Sequence, residues 1–445
     1  MPENREMNVK QIELTLRHML RLPAALSMAV AVLSASVTSS ASAQPHSEDL
    51  MNSYQSPTIA SSAFGREPGR NGLQSPGSLS FSVEAIFGDV KDSNALIGSH
   101  DAPQIFGDRF YATSLDVFDG AHVGIAELEP ALVGQQLSNS ATVGTRVRAN
   151  YRGDYNSGLE VSGFWLGDAH RSWQRGLGGF NAGADPTNVR VTAALPLNDG
   201  AGGYAVPYDQ YFHIGLTTNV YGLGADYAPV GGYWGAVLIQ PTVGVRYFNL
   251  DEKFGFAAAD SGLSYVHLAN GLPDETTLFP PNPAVPPYQS VLDVAVDNKL
   301  IGPCLGINLA TTAKIVRFSS NSRVGALFVD SRQTLSGRGF GNGFAAGFDP
   351  TIAFSDSGTQ SYATAFFEQS LNMDIELLRI LPKFAQHQGK NSLALRLGWS
   401  VLAIDSVTRP VESVAWDGFP LTPTLTDNRS EFLLQTWNVG LMFQY

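Results

Sequence analysis

Eight histidines and one cysteine bound the chemistry open to this 445-residue chain. A zinc site on a helix needs two imidazoles at i, i+4, and His18, His46, His100, His122, His170, His213, His267 and His387 never fall at that spacing. Cys304 alone builds neither a thiolate cluster nor an internal disulfide. The glycine-rich run Gly337 to Phe344 resembles a phosphate loop only in composition, because a dinucleotide fingerprint must follow a strand and open a helix. It reads instead as a surface loop, with Phe340, Phe344 and Phe348 free to dip into lipid or a partner. The prolines at 280–287 give a stiff, extended loop. One catalytic candidate remains: His213, if its strand turns it towards Ser or Asp partners inside an enclosed fold. The expectation is no catalytic residue, no metal and no cofactor.

A second set of charged residues sits at alternate positions. Arg146 and Arg148, or Asp374 and Glu376, share one face of an extended strand, and Glu160, Arg246, Glu368 and Arg396 fall on the corresponding parity of theirs. Such residues line a lumen, where rings of charge select solutes. The plainer alternative is cross-strand pairing that satisfies a narrow interior. A turn centred near 154 sets Arg148 opposite Glu160, and one near 385 sets Arg396 beside Asp374.

The elements that must position these charges show a period of two. Trp437, Val439, Leu441, Phe443 and Tyr445 alternate with Thr436, Asn438, Gly440 and Gln444, broken by Met442 alone. Leu393 to Val401, Leu371 to Leu377 and Leu79 to Phe87 repeat the pattern, the last against Ser78, Ser80, Ser82 and Glu84. No comparable helical face occurs. Strands are expected at 78–88, 109–118, 142–151, 157–167, 210–223, 235–249, 254–268, 291–318, 321–330, 361–378, 391–404 and 431–445, about twelve in all within a range of 10 to 14. Many exceed the usual strand of about 5 or 6 residues and match the roughly 9 to 11 that cross a bilayer.

Composition agrees. Charged residues are 15% of the chain against about 25% in ordinary soluble domains, and a net charge of -12 excludes a polyanion such as nucleic acid as partner. Lys10, Arg17 and Arg21 precede the apolar run Leu22 to Leu33, and Ala41-Ser42-Ala43 offers cleavage between Ala43 and Gln44. Residues 1–43 are therefore expected to be a signal peptide, and 44–77, rich in Ser, Pro, Gly and Asn, a disordered lead-in. An exported chain of strands can span lipid only as an edge-free barrel, so 78–445 is expected to form a closed antiparallel transmembrane β-barrel in the outer membrane. Trp165, Trp399, Trp437, Tyr151, Tyr247 and Tyr445 are placed for aromatic girdles. Asn438, Gly440, Phe443 and Tyr445 look like the terminal signal by which assembly machinery recognises such barrels. The expected partners are that machinery and the bilayer.

Four stretches resemble the large β-barrel family of planctomycete outer-membrane proteins: Ser82 to Gly88, Gly158 to Gly167, Gly244 to Glu252, and Leu395 to Leu402 followed by Val407-Thr408-Arg409-Pro410. They occur in order across most of 78–445. The resemblance implies an outer-membrane barrel, and no catalytic residues come with it.

With Tyr445 on the periplasmic side, connections 405–430, 331–360, 269–290 and 89–108 fall outside, and 379–390, 319–320 and 250–253 inside. Barrels have long outer loops and short inner turns. The long segment 168–209 lands inside and breaks the rule, unless it hides a hairpin with Val189 to Leu195 as one arm or plugs the lumen. The functional expectation is a surface or structural barrel or a narrow porin-like channel, without catalysis. A soluble secreted β-sandwich acting in adhesion or the envelope is the alternative, and a barrel hydrolase built on His213 the third.

Overall fold

The computed structural model describes residues 77–91, 97, 114–118, 123–130, 142–153, 157–176, 189–197, 204–208, 211–259, 264–266, 268–269, 272–273, 289–313, 315–340, 353–377, 392–416 and 422–445. The expected signal segment with Ala43 and Gln44, and all but the last residue of the lead-in, lie outside them, as do Phe344 and Phe348. Residues 73–232 and 238–445 form one compact unit. Of a second, 1–72 with 233–237, only the last five residues are described, a turn in which Gly235 has φ +62°.

Ten long strands close into one ring: β1 (Ser78–Val90), β2 (Thr142–Arg152), β3 (Gly158–Gly176), β4 (Tyr211–Ala228), β5 (Val237–Ala259), β6 (Gln289–Ala313), β7 (Val316–Arg338), β8 (Ala353–Glu376), β9 (Ser392–Val407) and β10 (Ser430–Gln444). Each pairs with its neighbours in sequence, β5 joins β6, and β10 closes on β1 with Phe87 opposite Trp437. The three-residue strand Gly232–Trp234 is an eleventh member, outside the ring. Among the described residues no helix is long and apolar enough to cross a membrane.

The antiparallel barrel is as expected, and its ten strands lie at the low end of the expected range of 10 to 14. Asp251, Glu252 and Lys253 do not make a turn. They lie inside β5, where Glu252 points inward and the other two outward, so two expected strands are one of 23 residues. Of 109–118 the described residues, Ser114–Phe118, form a strand that joins a separate five-stranded sheet with Val123–Pro130, Val189–Leu197, Tyr204–Tyr208 and Ser264–Val266. Within that sheet Val189–Leu197 forms the suspected hairpin with Tyr204–Tyr208 and runs parallel to Val123–Pro130. The turn expected at 319–320 lies at 314–315. With ten strands, the connection after β3 leaves the long-loop end, and the topological exception disappears. The four longest connections now leave the end opposite Tyr445, and 377–391 remains the long exception at the Tyr445 end.

The wall changes character halfway along. On β6 the outward residues Ile301, Pro303, Leu305, Ile307 and Leu309 are apolar, whereas Asp293, Asp297 and Lys299 precede them. Registration carries this boundary sideways: Ile301 lies opposite Phe328 and Phe328 opposite Ala363, while Lys299 lies opposite Asp330 and Asp330 opposite Ser361. Inside, the order is reversed. Near Tyr445 the inward residues are polar, and towards the other end they are Phe212, Ile214 and Leu216 on β4, Phe254 and Phe256 on β5, and Leu292 and Val294 on β6, all buried. The expectation of polar residues inside and apolar outside therefore holds for the half nearest Tyr445 and inverts in the other. Trp437 meets both Phe87 and Trp399, and Trp165 meets Tyr221, along the upper edge of the apolar exterior. Tyr151, Tyr227 and Tyr445 stand at its lower edge. From Trp437 to Tyr445 the strand covers about 27 Å at roughly 3.4 Å per residue.

Candidate functional site in the barrel lumen

The inward parity of the lower half gathers Arg146, Arg148, Arg152, Arg246, Arg317, Arg323 and Arg396 with Glu84, Glu160, Asp226, Glu368, Asp374 and Glu376. Seven cations therefore face six carboxylates. Every lumen residue expected from the sequence lies in this set.

One group is built on β8, β9, β10 and β1. Arg396 donates from Nε and Nη2 to the two carboxylate oxygens of Asp374 at 2.6 and 2.9 Å, a fork-to-fork pair with both side chains buried. This is the cross-strand partnership expected for Arg396. Arg396 Nη1 also approaches Glu84 Oε1 at 3.5 Å, and Asn438 Nδ2 donates to Glu84 Oε2 at 2.8 Å. Gly440 sits between Arg396 and Glu84 in register, and a Cβ there would meet Val83 O at 2.2 Å and Glu84 Cγ at 2.7 Å. Its missing side chain leaves the space that Val83 and Glu84 of β1 occupy. Two residues of the expected terminal signal, Asn438 and Gly440, thus complete the lumen, while Phe443 and Tyr445 point outward.

The other group spans the lumen. Arg246 binds Asp226 at 2.6 Å and Glu368 at 3.0 Å. Arg323 binds Asp226 at 2.8 Å and Glu160 at 3.1 Å. Glu160 and Arg323 come from β3 and β7, four strands apart around the ring, so this pair crosses the full interior. The expected hairpin pair is corrected: Arg148 lies opposite Ser162, one register step from Glu160, because the β2–β3 turn centres on 155. Arg148 instead reaches Glu84, Nε to Oε1 at 3.7 Å, and donates to Asn372 Oδ1 at 3.5 Å. Arg146 donates to Ser400 Oγ at 3.1 Å and lies over the Phe164 ring.

Glu84, Arg152, Asp226, Arg317 and Arg323 are members the sequence reading missed. Glu84 shares parity with Ser78, Ser80 and Ser82, which was the available signal. Asp226 fell beyond the expected end of its strand, and Arg323 lay where alternation is weak.

Above the charges an apolar layer closes the interior. Phe248 on β5 packs against Phe366 on β8 with ring centroids 5.9 Å apart, together with Ile86, Leu166, Leu300, Leu327 and Leu434. Higher still, the segment after β9 folds inward: Arg409 binds Glu252, Tyr362 Oη accepts from the Thr408 backbone N–H, and Trp416 joins Phe256 and Phe340. Phe340 is therefore a core residue and does not dip into lipid. Among the charges nearest Tyr445, a cavity of about 100 Å³ is lined by Arg148, Arg152, Glu160, Asp226, Asn308, Arg317 and Arg396 among others.

His213 does not face the lumen. Phe212 and Ile214 take the inward positions, and His213 stacks outside on Tyr211, above the apolar exterior. Burial lowers its pKa, and neighbouring His170 lowers it further. Cys304 is inward and buried, Sγ 3.7 Å from Asp226 Oδ1. Among the described residues no three His, Cys, Asp or Glu side chains converge as a metal site.

No protein-family model matches the chain. No curated protein matches it. Among solved structures it is similar to the outer membrane protease OmpT from Escherichia coli, at 8% identity and a TM-score of 0.34, covering 84% of this chain and 100% of that one. It is also similar to a deletion mutant of the monoaromatic hydrocarbon channel TodX (7% identity, TM-score 0.21, 84% and 91% covered) and to the toluene transporter TodX of P. putida (7%, 0.16, 84% and 90%).

Proposed function

We propose that this chain is an outer-membrane barrel with a closed lumen, a non-catalytic anchor that holds its long connections at the cell surface. The observation that carries the reading is the set of contacts across the interior. Glu160 meets Arg323, Arg246 meets Glu368 and Phe248 meets Phe366, each pair three or four strands apart. An open aqueous channel needs a wider ring, about 16 to 18 strands. The apolar exterior, edged by aromatics, supports contact with acyl chains and, at its rims, with headgroups. Eight of the ten strands carry 15 or more residues, so they extend beyond a bilayer and leave their polar stretches in water. The order of motifs shared with planctomycete barrels supports the same reading.

The experiment is a pair of measurements on protein extracted in detergent. Migration on an SDS gel is expected to shift on boiling, and the folded protein is expected to give no steady conductance in planar bilayers. Steady unitary steps would replace the closed anchor with the narrow channel. Release from membranes by carbonate without detergent would remove the membrane reading itself.

A further inference from the structure

A hydrogen-bonded polar patch interrupts the apolar exterior, and we infer that it is the contact by which two copies of this chain pair in the membrane. The patch straddles β7 and β8. Ser322 Oγ donates to Gln369 Oε1, and Gln369 Nε2 donates to Ser320 Oγ at 2.9 Å. Ser322 lies opposite Gln369 in register, and all three side chains are half-buried on the outward parity of their strands. Depth sets the problem. On the outer face of β8, Ala363, Ala365 and Phe367 precede Gln369, and Leu371, Met373 and Ile375 follow it. Three apolar steps of about 6.8 Å on each side, tilted by about 45°, rise about 14 Å, half of a hydrocarbon core of about 30 Å. Gln369 therefore sits at the midplane, out of reach of water and headgroups.

A count of donors shows what a lone barrel leaves unmet. A Gln amide carries two N–H donors and a Ser hydroxyl one. Among the described residues, the second N–H of Gln369 and the hydroxyl of Ser320 meet no acceptor. Acyl chains offer none, so each unmade bond costs free energy. Ser322 Oγ donates and accepts nothing, so the patch holds a spare acceptor beside its spare donors. A two-fold contact sets a surface against its own copy, which requires both kinds on one patch and no net charge. Gln369, Ser320 and Ser322 meet both conditions. Ala326 lies opposite Ala365 two outward rows away, and small side chains let two walls approach closely. Around the patch Leu305 and Ile307 of β6, Val324 and Phe328 of β7 and Phe367 of β8 are exposed. Three strands about 4.8 Å apart over about 40 Å make a face on the order of 600 Å², comparable with the roughly 800 Å² per partner of a standard interface. The pairing rests on the outer-membrane reading, because in water the spare donors would be hydrated.

The test is sedimentation equilibrium of the full chain in density-matched detergent, with boiling-dependent gel migration as the check on folding. A mass of two chains is expected. Gln369→Leu, which sets an ordinary apolar side chain at the midplane, is expected to raise the dissociation constant at least about tenfold with the gel shift intact. Ser320→Ala removes one spare donor per copy, is expected to weaken pairing less, and serves where Gln369→Leu fails to fold. Val147→Ala, outward on β2 across the ring from β7, is expected to leave the mass unchanged. A single-chain mass, a mass of three or more chains, or a dimer indifferent to both patch substitutions overturns the contact and leaves the barrel reading standing. So does a dimer that Val147→Ala weakens equally. Absence of the gel shift in the unaltered chain removes the membrane reading, and the contact with it.

Discussion

Arg409, from the connection after β9, donates from Nη2 and Nε to the two carboxylate oxygens of Glu252 on β5, at 2.7 and 3.0 Å, with both side chains sealed from solvent. The pair ties an inward-folded segment to the opposite wall and seats Trp416 in the aromatic cluster. Removing one member strands the other's charge. Glu252→Gln is expected to cost about 3 to 5 kcal/mol, and Arg409→Met combined with Glu252→Leu to recover most of it. Urea unfolding followed by tryptophan fluorescence and gel mobility measures both.

Gly440 makes a different demand. Alanine there pushes Cβ towards Val83 O and Glu84, both in β1, at the seam that closes the ring. A loss of about 1 to 3 kcal/mol is expected. If the folded fraction on a gel equals that of the unaltered chain, the close approach of β1 to β10 at this point is not needed.

The boundary on the exterior predicts a contrast along one strand. Leu305→Arg, in the middle of the apolar stretch of β6, is expected to cost about 2 to 4 kcal/mol in lipid vesicles. Lys299→Glu, three register steps away on the same outward face, is expected to change stability by less than about 0.5 kcal/mol. Equal costs at the two positions would remove the lipid boundary between them.

His213 carries a pH dependence of definite sign. Its pKa lies below the ordinary 6.5, from burial and from His170, so the folded chain resists protonation more than the unfolded one. Its contribution is complete above 6.5 and is lost as pH falls through that value towards the folded pKa. The urea midpoint is expected to drop between about pH 7.5 and about pH 5.5, and His213→Gln to reduce the drop. An unchanged slope in the variant would reassign the effect to other groups.

Much of this fold is legible in the chain because parity is a local property. One strand of alternating residues names its own two faces, which is how Arg146, Arg246, Asp374 and Arg396 were identified without a partner in view. What parity does not carry is the solvent on each side. On β5 the inward residue is Arg246 at one point and Phe254 four register steps later, and only the ring around them shows that water has changed sides. The charged triplet Asp251-Glu252-Lys253 looked like a turn because a strand crossing that frontier has charge on both faces. The pairing of Arg323 with Glu160 was not legible either, since it depends on the ring having ten members.

The reversal of polarity along the wall has a mechanical consequence. Beyond the row of Trp165, Tyr221 and Trp437, the tube carries an oily filling of its own, anchored by Phe212, Phe256 and Leu292. Its stiffness there owes nothing to lipid. A thinner bilayer would retilt the lower wall, yet the roots of the five connections at the far end would keep their spacing, like fittings on a rigid collar above a flexible mount.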